Sequence, residues 1–330
     1  MTIPERNGQP IRTRSWLARR SSMAPPAPPA VDPARVLPTD LLARIRRIEI
    51  KARRLVANVF LGEYHSVFRG RGIEFSDVRQ YEPGDDVQAI DWNVTARMGA
   101  PFIKRYVEER ELLVLLLVDV SRSATLAGSG MTKRDLAAEV AATLAFAAVA
   151  NNDRVGLITF TDRIEHFAAP AKGRPHVLRI IRELLYGVSA GSGTDIAAAL
   201  AYAARVTRRR AIVFLISDFC DAGYEQQLRA AAIRHEVIAL ALTDPRDGAL
   251  PNVGLLELED AETGGRALID TTDGAVRAAY ARNAAELRSR RKRALTAAGV
   301  AEIVLRTDQP YVEPLLRAFR EHRRGRAARR

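Results

Sequence analysis

The stretch "ELLVLLLVDVSRSATL", Glu111 to Leu126, decides the fold. Leu112 to Val118 is seven apolar residues without a break. A run this short and this apolar reads as a β-strand buried on both faces, the kind found inside a parallel sheet. It then passes into Asp119, Ser121 and Ser123, spaced two apart. A carboxylate and two hydroxyls at the mouth of a fully buried strand need a chemical reason.

Working outward, strands and helices alternate. Strands are predicted at 112–118, 154–160, 211–217, 236–242 and 301–305. Helices are predicted near 133–151, 175–187, 195–209, 223–235 and 274–297. "RVGLITF" and "AIVFLISD" repeat the doubly buried pattern. The alternation predicts an α/β fold: a doubly wound, mostly parallel sheet of Rossmann type, covered by helices. Residues 163–168 read as a short antiparallel strand, and 255–269 as a hairpin around "EDAETGGRA".

The flanks read differently. Residues 1–38, with "MAPPAPPAVDP", read as a disordered or polyproline-like arm rich in Pro and Arg. A helix starts at Thr39, with Leu41, Ile45, Ile48 and Leu55 on one face and Arg and Lys on the other. Residues 68–107 break into short alternating stretches with Gly, Pro and Asp pairs, so 39–110 is read as a helix plus a small β-containing subdomain. The main α/β domain spans 111–310, and 311–330 reads as a basic tail.

The formal charge of +12 is carried mostly by the ends. Residues 1–35 hold +4 and residues 317–330 hold +6, which leaves +2 for everything between. Solvated tails explain this more simply than a nucleic-acid site does, and no aromatic residues interleave with the arginines for base stacking. An anionic membrane surface is open to the tails only peripherally. No apolar run reaches the ~18 residues of a membrane span. No apolar segment of a signal peptide follows the N-terminal arginines. A lone cysteine, Cys220, rules out a disulfide within the chain, and a cytoplasmic location is expected.

In doubly wound sheets, ligands bind at the carboxyl ends of the strands. Asp119, Ser121 and Ser123 fall there. "GSGTDIAAAL" puts Thr194 at the mouth of a helix, after a glycine turn. "AIVFLISDF" puts Asp218 at a strand end equivalent to that of Asp119. Two carboxylates and three hydroxyls from three loops are hard oxygen donors, suited to Mg²⁺ or Mn²⁺. The five histidines have no ligand-like spacing for zinc.

"DVSRS", the Thr of "GSGTD" and the Asp of "ISDF", in that order, resemble the metal-ion-dependent adhesion site of von Willebrand factor A domains. The resemblance implies that Asp119, Ser121, Ser123, Thr194 and Asp218 hold a divalent cation with one position open to a partner carboxylate. Arg122 and Ala124 stand where many such domains have Gly and Met. Neither supplies a ligand in the resemblance, and Arg122 can tune the local charge. A narrower resemblance covers residues 40–310. "RQYEPGDDVQAIDWNVTAR" followed by "VLLLVDVSRS" is similar to the bacterial domain-of-unknown-function family fifty-eight, which carries a von Willebrand factor A-like domain. "GRGIEF" and "TDPRDGALPNVGLLELEDAETG" fit it too. That resemblance implies a MoxR-type AAA+ ATPase as partner.

Arg79, Tyr81, Asp85, Asp86, Asp91, Trp92 and Arg97 crowd together in 79–97. With Arg122 they form a candidate docking surface. The simpler reading has Trp92 and Ile90 plugging a core while the Asp–Arg groups satisfy turns. Cys220 reads as a small packed residue. No P-loop, no Gly-x-Ser-x-Gly elbow and no dinucleotide fingerprint is present, so no catalytic residue is assigned. The expected function is a Mg²⁺-dependent protein-binding adaptor rather than an enzyme. It would dock an acidic client and assist a MoxR-type ATPase in the assembly or maturation of a client complex. The alternatives are a metal-assisted phosphoester hydrolase, or a nucleic-acid binder acting through the Arg-rich ends.

Overall fold

The computed structural model describes residues 39–68, 74–107, 111–125, 130–259 and 265–328. The arm expected over 1–38 lies outside them. The chain enters through helix α1 (Thr39–Leu55), passes a π-turn at Val56–Phe60 and continues as α2 (Leu61–Phe68). Strand β1 (Glu74–Gln80), a short helix α3 (Trp92–Met98) and strand β2 (Phe102–Val107) follow. Then come β3 (Leu113–Asp119), α4 (Lys133–Ala150), β4 (Arg154–Phe160), β5 (Ile164–Ala171) and α5 (Arg174–Tyr186). Next are α6 (Ile196–Val206), β6 (Ile212–Ser217), α7 (Glu225–Arg234) and β7 (Glu236–Thr243). A hairpin of β8 (Leu255–Glu259) and β9 (Arg266–Asp270) precedes α8 (Gly274–Ala297), β10 (Ala301–Arg306) and α9 (Val312–Ala328).

Six strands form one sheet in the order β10-β7-β6-β3-β4-β5. All neighbours are parallel except β5, which runs antiparallel to β4 at one edge. The fold is the α/β, mostly parallel, von Willebrand factor A-like arrangement expected from the sequence, with the small two-stranded β1–β2 sheet before it.

The apolar run of β3 is explained by its place at the centre. Val114, Leu116 and Val118 face a core shared with α1, α4, α5 and α9. Leu115 and Leu117 face a second core shared with α6, α7 and α8. A strand covered on both sides must be apolar at every position, because a side chain of either parity leaves water. Full burial of each such side chain is worth about 1.5–3 kcal/mol.

Helix α4 is capped by a reciprocal pair: the Thr132 hydroxyl accepts from Asp135 N–H, and the Asp135 carboxylate accepts from Thr132 N–H. Its many alanines let it fit closely between the sheet and α1. Leu41, Ile45, Ile48 and Ala52 of α1 turn inward, as the helical spacing predicts, and Leu55 is half-buried. Ion pairs of Arg44 with Asp135, Lys51 with Glu139 and Arg174 with Glu49 fix α1 across α4 and α5. The N-terminal helix therefore packs outside α4 and α5 on the α/β domain rather than belonging to the β1–β2 unit.

The C-terminal segment departs from expectation. Residues 311–330 were expected as a basic tail, but Tyr311, Leu315, Leu316 and Phe319 are buried in the first core. The Phe319 ring meets Phe60 edge-on at 5.2 Å and lies 6.4 Å from Phe214. The apolar face repeats at three- to four-residue spacing inside an Arg-rich composition, and burial of that face outweighs the preference of the arginines for water.

Candidate metal centre

Asp119 is the last residue of β3 and only 3% exposed. Its carboxylate is held from two sides. Oδ1 accepts from Ser121 N–H at 2.9 Å, and Oδ2 accepts from the Ser217 hydroxyl at 2.7 Å. Ser217 ends the neighbouring strand β6, so parallel pairing of Val118 with Ile216 brings the two strand ends level. The turn at Arg122–Thr125 carries Ser123 round to Ser121, with hydroxyl oxygens 3.0 Å apart. Arg122 lies on the exposed side of that turn.

Asp218 follows β6 directly and is also buried. Its Oδ1 accepts from Cys220 N–H at 3.1 Å, and the Ser123 side chain hydrogen-bonds to it. Phe219 stands in the left-handed region, at φ 59°, with its ring buried near Tyr224. That conformation is costly for a bulky residue. Here it turns the chain immediately after a carboxylate that must face Asp119.

Asp119, Ser121, Ser123 and Asp218 are thus joined in one hydrogen-bonded cluster. It lies where the chain order reverses around β3: β4 is on one side, and β6, reached after β5, is on the other. This is the crevice at which ligands bind in open parallel sheets.

Thr194 lies on the turn before α6, half-buried, beside the N-cap Asp195. Its loop is pinned rather than free. The Glu165 carboxylate on β5 accepts from Ala190 N–H at 3.0 Å, Gly191 N–H at 2.8 Å and the Thr161 hydroxyl at 2.7 Å. Asp195 N–H donates to Thr161 carbonyl at 2.9 Å, and the Ser189 hydroxyl donates to Val120 carbonyl at 3.1 Å. Gly191 is required by this approach, since a Cβ there would fall 2.0 Å from Asp162 Oδ1 and 2.2 Å from Thr161 Oγ1.

The charges in the cleft are strongly coupled. Burial and the facing Asp218 push the Asp119 carboxyl upward, against the hydrogen bonds from Ser217 and Ser121. Burial acts on Asp218 in the same sense, but the ammonium of Lys133 and the hydrogen bonds from Cys220 N–H, Lys133 and Ser123 together outweigh it and hold that carboxyl low.

Lys133 is the residue that sequence reasoning missed. It opens α4, is 7% exposed, and places Nζ 3.1 Å from Asp218 Oδ2 and 2.9 Å from Asp247 Oδ2. A signal was present. A lysine in the first turn of a helix opposes the helix dipole, so a nearby carboxylate is needed to keep it there. Asp247, in the turn after β7, had no comparable signal.

Residues of 79–97 hydrogen-bond among themselves and to the adjoining 101–103 segment. Arg79 bonds Asp85 at 2.6 Å, which holds that carboxyl low together with Glu82 N–H. Asp86 and Asp91 cap the turn at 87–89 and helix α3. Tyr81 N–H donates to Pro101 carbonyl at 2.8 Å, and Arg97 lies exposed in the last turn of α3. The Asp–Arg groups do satisfy turns, but the core role read for Trp92 is wrong: its side chain is 67% exposed. It stands at the first position of a short surface helix that alternation in the sequence did not reveal. Cys220, read as packed, is exposed. It contributes its backbone N–H to Asp218.

Hydroxyls and carboxylates therefore gather at the end of the central strand of a mostly parallel α/β sheet. The family described as "Protein of unknown function DUF58" matches residues 77–290. An uncharacterized protein of Mycobacterium tuberculosis (strain ATCC 25618 / H37Rv) is 34% identical over 307 residues, which is 91% of this chain and 96% of the relative. The chain belongs to the DUF58 family. Among solved structures, it is similar to the conserved hypothetical protein BatB from Bacteroides thetaiotaomicron. That match has 18% identity and a TM-score of 0.41, over 64% of this chain and 99% of that one. The SpRpn10 VWA domain is similar at 10% identity and a TM-score of 0.33, over 62% and 94%.

Among the described residues, no group of three or more His, Cys, Asp or Glu side chains is placed to hold a metal ion. The cluster here is of another kind, two carboxylates with hydroxyls. It fits a hard cation on its chemistry: two buried carboxylates repel across the cleft, neutral hydroxyls link them, and the single charge of Lys133 reaches only Asp218 of the two. Among the described residues, no helix is long and apolar enough to cross a membrane.

Proposed function

We propose that this protein is a Mg²⁺- or Mn²⁺-dependent protein-binding adaptor. The supporting observation is the hydrogen-bonded cluster of Asp119, Ser121, Ser123 and Asp218 at the switch point of the sheet. With Thr194 on the adjoining loop, these residues would hold the cation. A bound divalent ion supplies a positive centre with an unfilled oxygen position, because two carboxylates and neutral hydroxyls do not complete its shell. The residues of the chain do the rest. Ser217 and Ser121 orient the Asp119 carboxylate, and Glu165 keeps the loop of Thr194 against the strand ends.

The occupant of the open position is an Asp or Glu of a partner protein, drawn in where the rim excludes part of the water and charge attraction is strengthened. The DUF58 likeness of "RQYEPGDDVQAIDWNVTAR" supports a MoxR-type AAA+ ATPase as the companion and a client complex in assembly as the task. A cytoplasmic, non-enzymatic role belongs to the same reading.

The test uses the full chain as bait with a MoxR-type ATPase and its client complex from the same cell. Retention is expected with Mg²⁺ or Mn²⁺ and to be lost with chelator or with Asp119→Ala. Retention indifferent to both would exclude docking through the metal.

A further inference from the structure

The cleft already contains a cation, the ammonium of Lys133. It is buried, and it stands 3.1 Å from Asp218 Oδ2, one of the carboxylates assigned to the metal. Its second partner, Asp247 Oδ2 at 2.9 Å, belongs to a different loop and has no part in the metal set. That loop is itself well held. Asp247 Oδ2 accepts from Asp244 N–H at 2.8 Å, Asp244 accepts from the Thr307 hydroxyl at 2.7 Å, and Tyr280 donates to Arg246 carbonyl at 3.2 Å. Asp247 is therefore a fixed acceptor, half open to water, next to the cleft.

We propose that Lys133 is a built-in counter-cation of this site: it takes the place of the metal's charge on Asp218 when no metal is bound, and transfers to Asp247 when the metal arrives. The inference rests on the metal reading of the cleft and deepens it, because it makes Lys133 and Asp247 the pair that sets metal affinity. The physical argument is charge balance. Two buried carboxylates facing each other without a cation destabilise the cleft, and Lys133 offsets the charge of one of them. A divalent cation on Asp119 and Asp218 is repelled by an ammonium bonded to one of its own ligands. Lys133 needs only a small side-chain rotation to satisfy itself on Asp247 alone, since it already touches both carboxylates. Metal binding then tightens the grip of α4 on the turn after β7, and so links occupancy of the cleft to a third strand end.

The test is a Mn²⁺ titration by calorimetry on the full chain and on Lys133→Gln, Asp247→Asn and Asp119→Ala, with melting in chelator alongside. Lys133→Gln is expected to bind Mn²⁺ about tenfold tighter or more, since a unit charge a few ångströms from the ion is removed. In chelator it melts lower than wild type, and added Mn²⁺ closes that gap. Asp247→Asn is expected to bind several-fold weaker, and to do so only while Lys133 is present. Mn²⁺ bound by Lys133→Gln but not by wild type overturns the transfer, because the ammonium then blocks the ion instead of moving to Asp247. Binding lost in Asp119→Ala but unchanged or weaker in Lys133→Gln overturns the counter-cation role and leaves the metal site standing. No Mn²⁺ bound by wild type or by Lys133→Gln removes the metal reading, and the transfer with it.

Discussion

The Ser217 hydroxyl donates to Asp119 Oδ2 at 2.7 Å and accepts from Phe219 N–H at 3.0 Å. Through one side chain, the end of β6 orients the carboxylate at the end of β3 and fixes the backbone turn that presents Asp218. Ser217→Ala leaves a buried carboxylate oxygen and a buried amide without that partner. A loss of about 1–3 kcal/mol is expected in urea unfolding, with Mn²⁺ affinity reduced several-fold. A Ser217→Ala protein of wild-type stability would show that the hydroxyl is not the orienting group.

Asp119→Asn keeps one acceptor oxygen, toward Ser121 N–H, turns the other into a donor that the Ser217 hydroxyl must accept from, and removes the charge facing Asp218. The metal-free protein is expected to melt higher than wild type, because burial and Asp218 both penalise that charge. The same variant should show no increase in melting temperature with added Mn²⁺. Opposite signs in chelator and in metal mark a binding carboxylate rather than a structural one.

Much of this arrangement was legible in the chain. The unbroken run Leu112–Val118 could only be a strand covered on both sides, and its alternate residues do divide between the two cores. The hairpin at 255–269 and the edge strand after 154–160 were also readable, because turn residues interrupt short β-rich runs. Asp119, Ser121, Ser123 and Asp218 were readable as one cluster because a strand end fixes where each must lie. The partners of these groups were less legible. Ser217 looks like one more strand residue, and Asp247 is 29 positions beyond Asp218. Trp92 was misplaced because residue type alone suggests burial, whereas position in a short capped helix decided exposure. The C-terminal helix was hidden by its arginines, which dominate composition without governing the face that packs.

That helix carries a prediction of its own. Phe319 sits between Phe60 and Phe214 in the first core, so Phe319→Ala should cost about 3–5 kcal/mol. Deleting residues from 312 onward should give a protein with non-cooperative unfolding, because Leu315 and Leu316 are removed with it. If the truncated chain unfolds as sharply as the full one, α9 is dispensable to the core.

A pH effect is expected far from the metal cleft. Asp153 lies buried, accepting from the Tyr64 hydroxyl at 3.1 Å and from Leu112 N–H at 2.8 Å. Burial pushes its carboxyl up to about 6, against those hydrogen bonds. The folded state therefore binds a proton between about pH 4 and 6 where the unfolded chain does not. The contribution of Asp153 to stability is largest below about pH 4 and is lost as pH rises through about 6, by on the order of 2–3 kcal/mol. Asp153→Asn removes this dependence. The stability of wild type relative to Asp153→Asn should rise as pH falls from 7 to 4, as read by urea unfolding at each pH. A constant difference between the two proteins would mean that Asp153 ionises normally.

The central claim is that Asp119, Ser121, Ser123, Thr194 and Asp218 hold one divalent cation. The most direct measurement is the loss of the free Mn²⁺ electron paramagnetic resonance signal as protein is added, with wild type beside Asp119→Ala and Asp218→Ala. The account predicts one Mn²⁺ taken up per wild-type chain, displaced by excess Mg²⁺, and none taken up by either variant. Mn²⁺ uptake that is absent from wild type, or that survives in both variants, would contradict it.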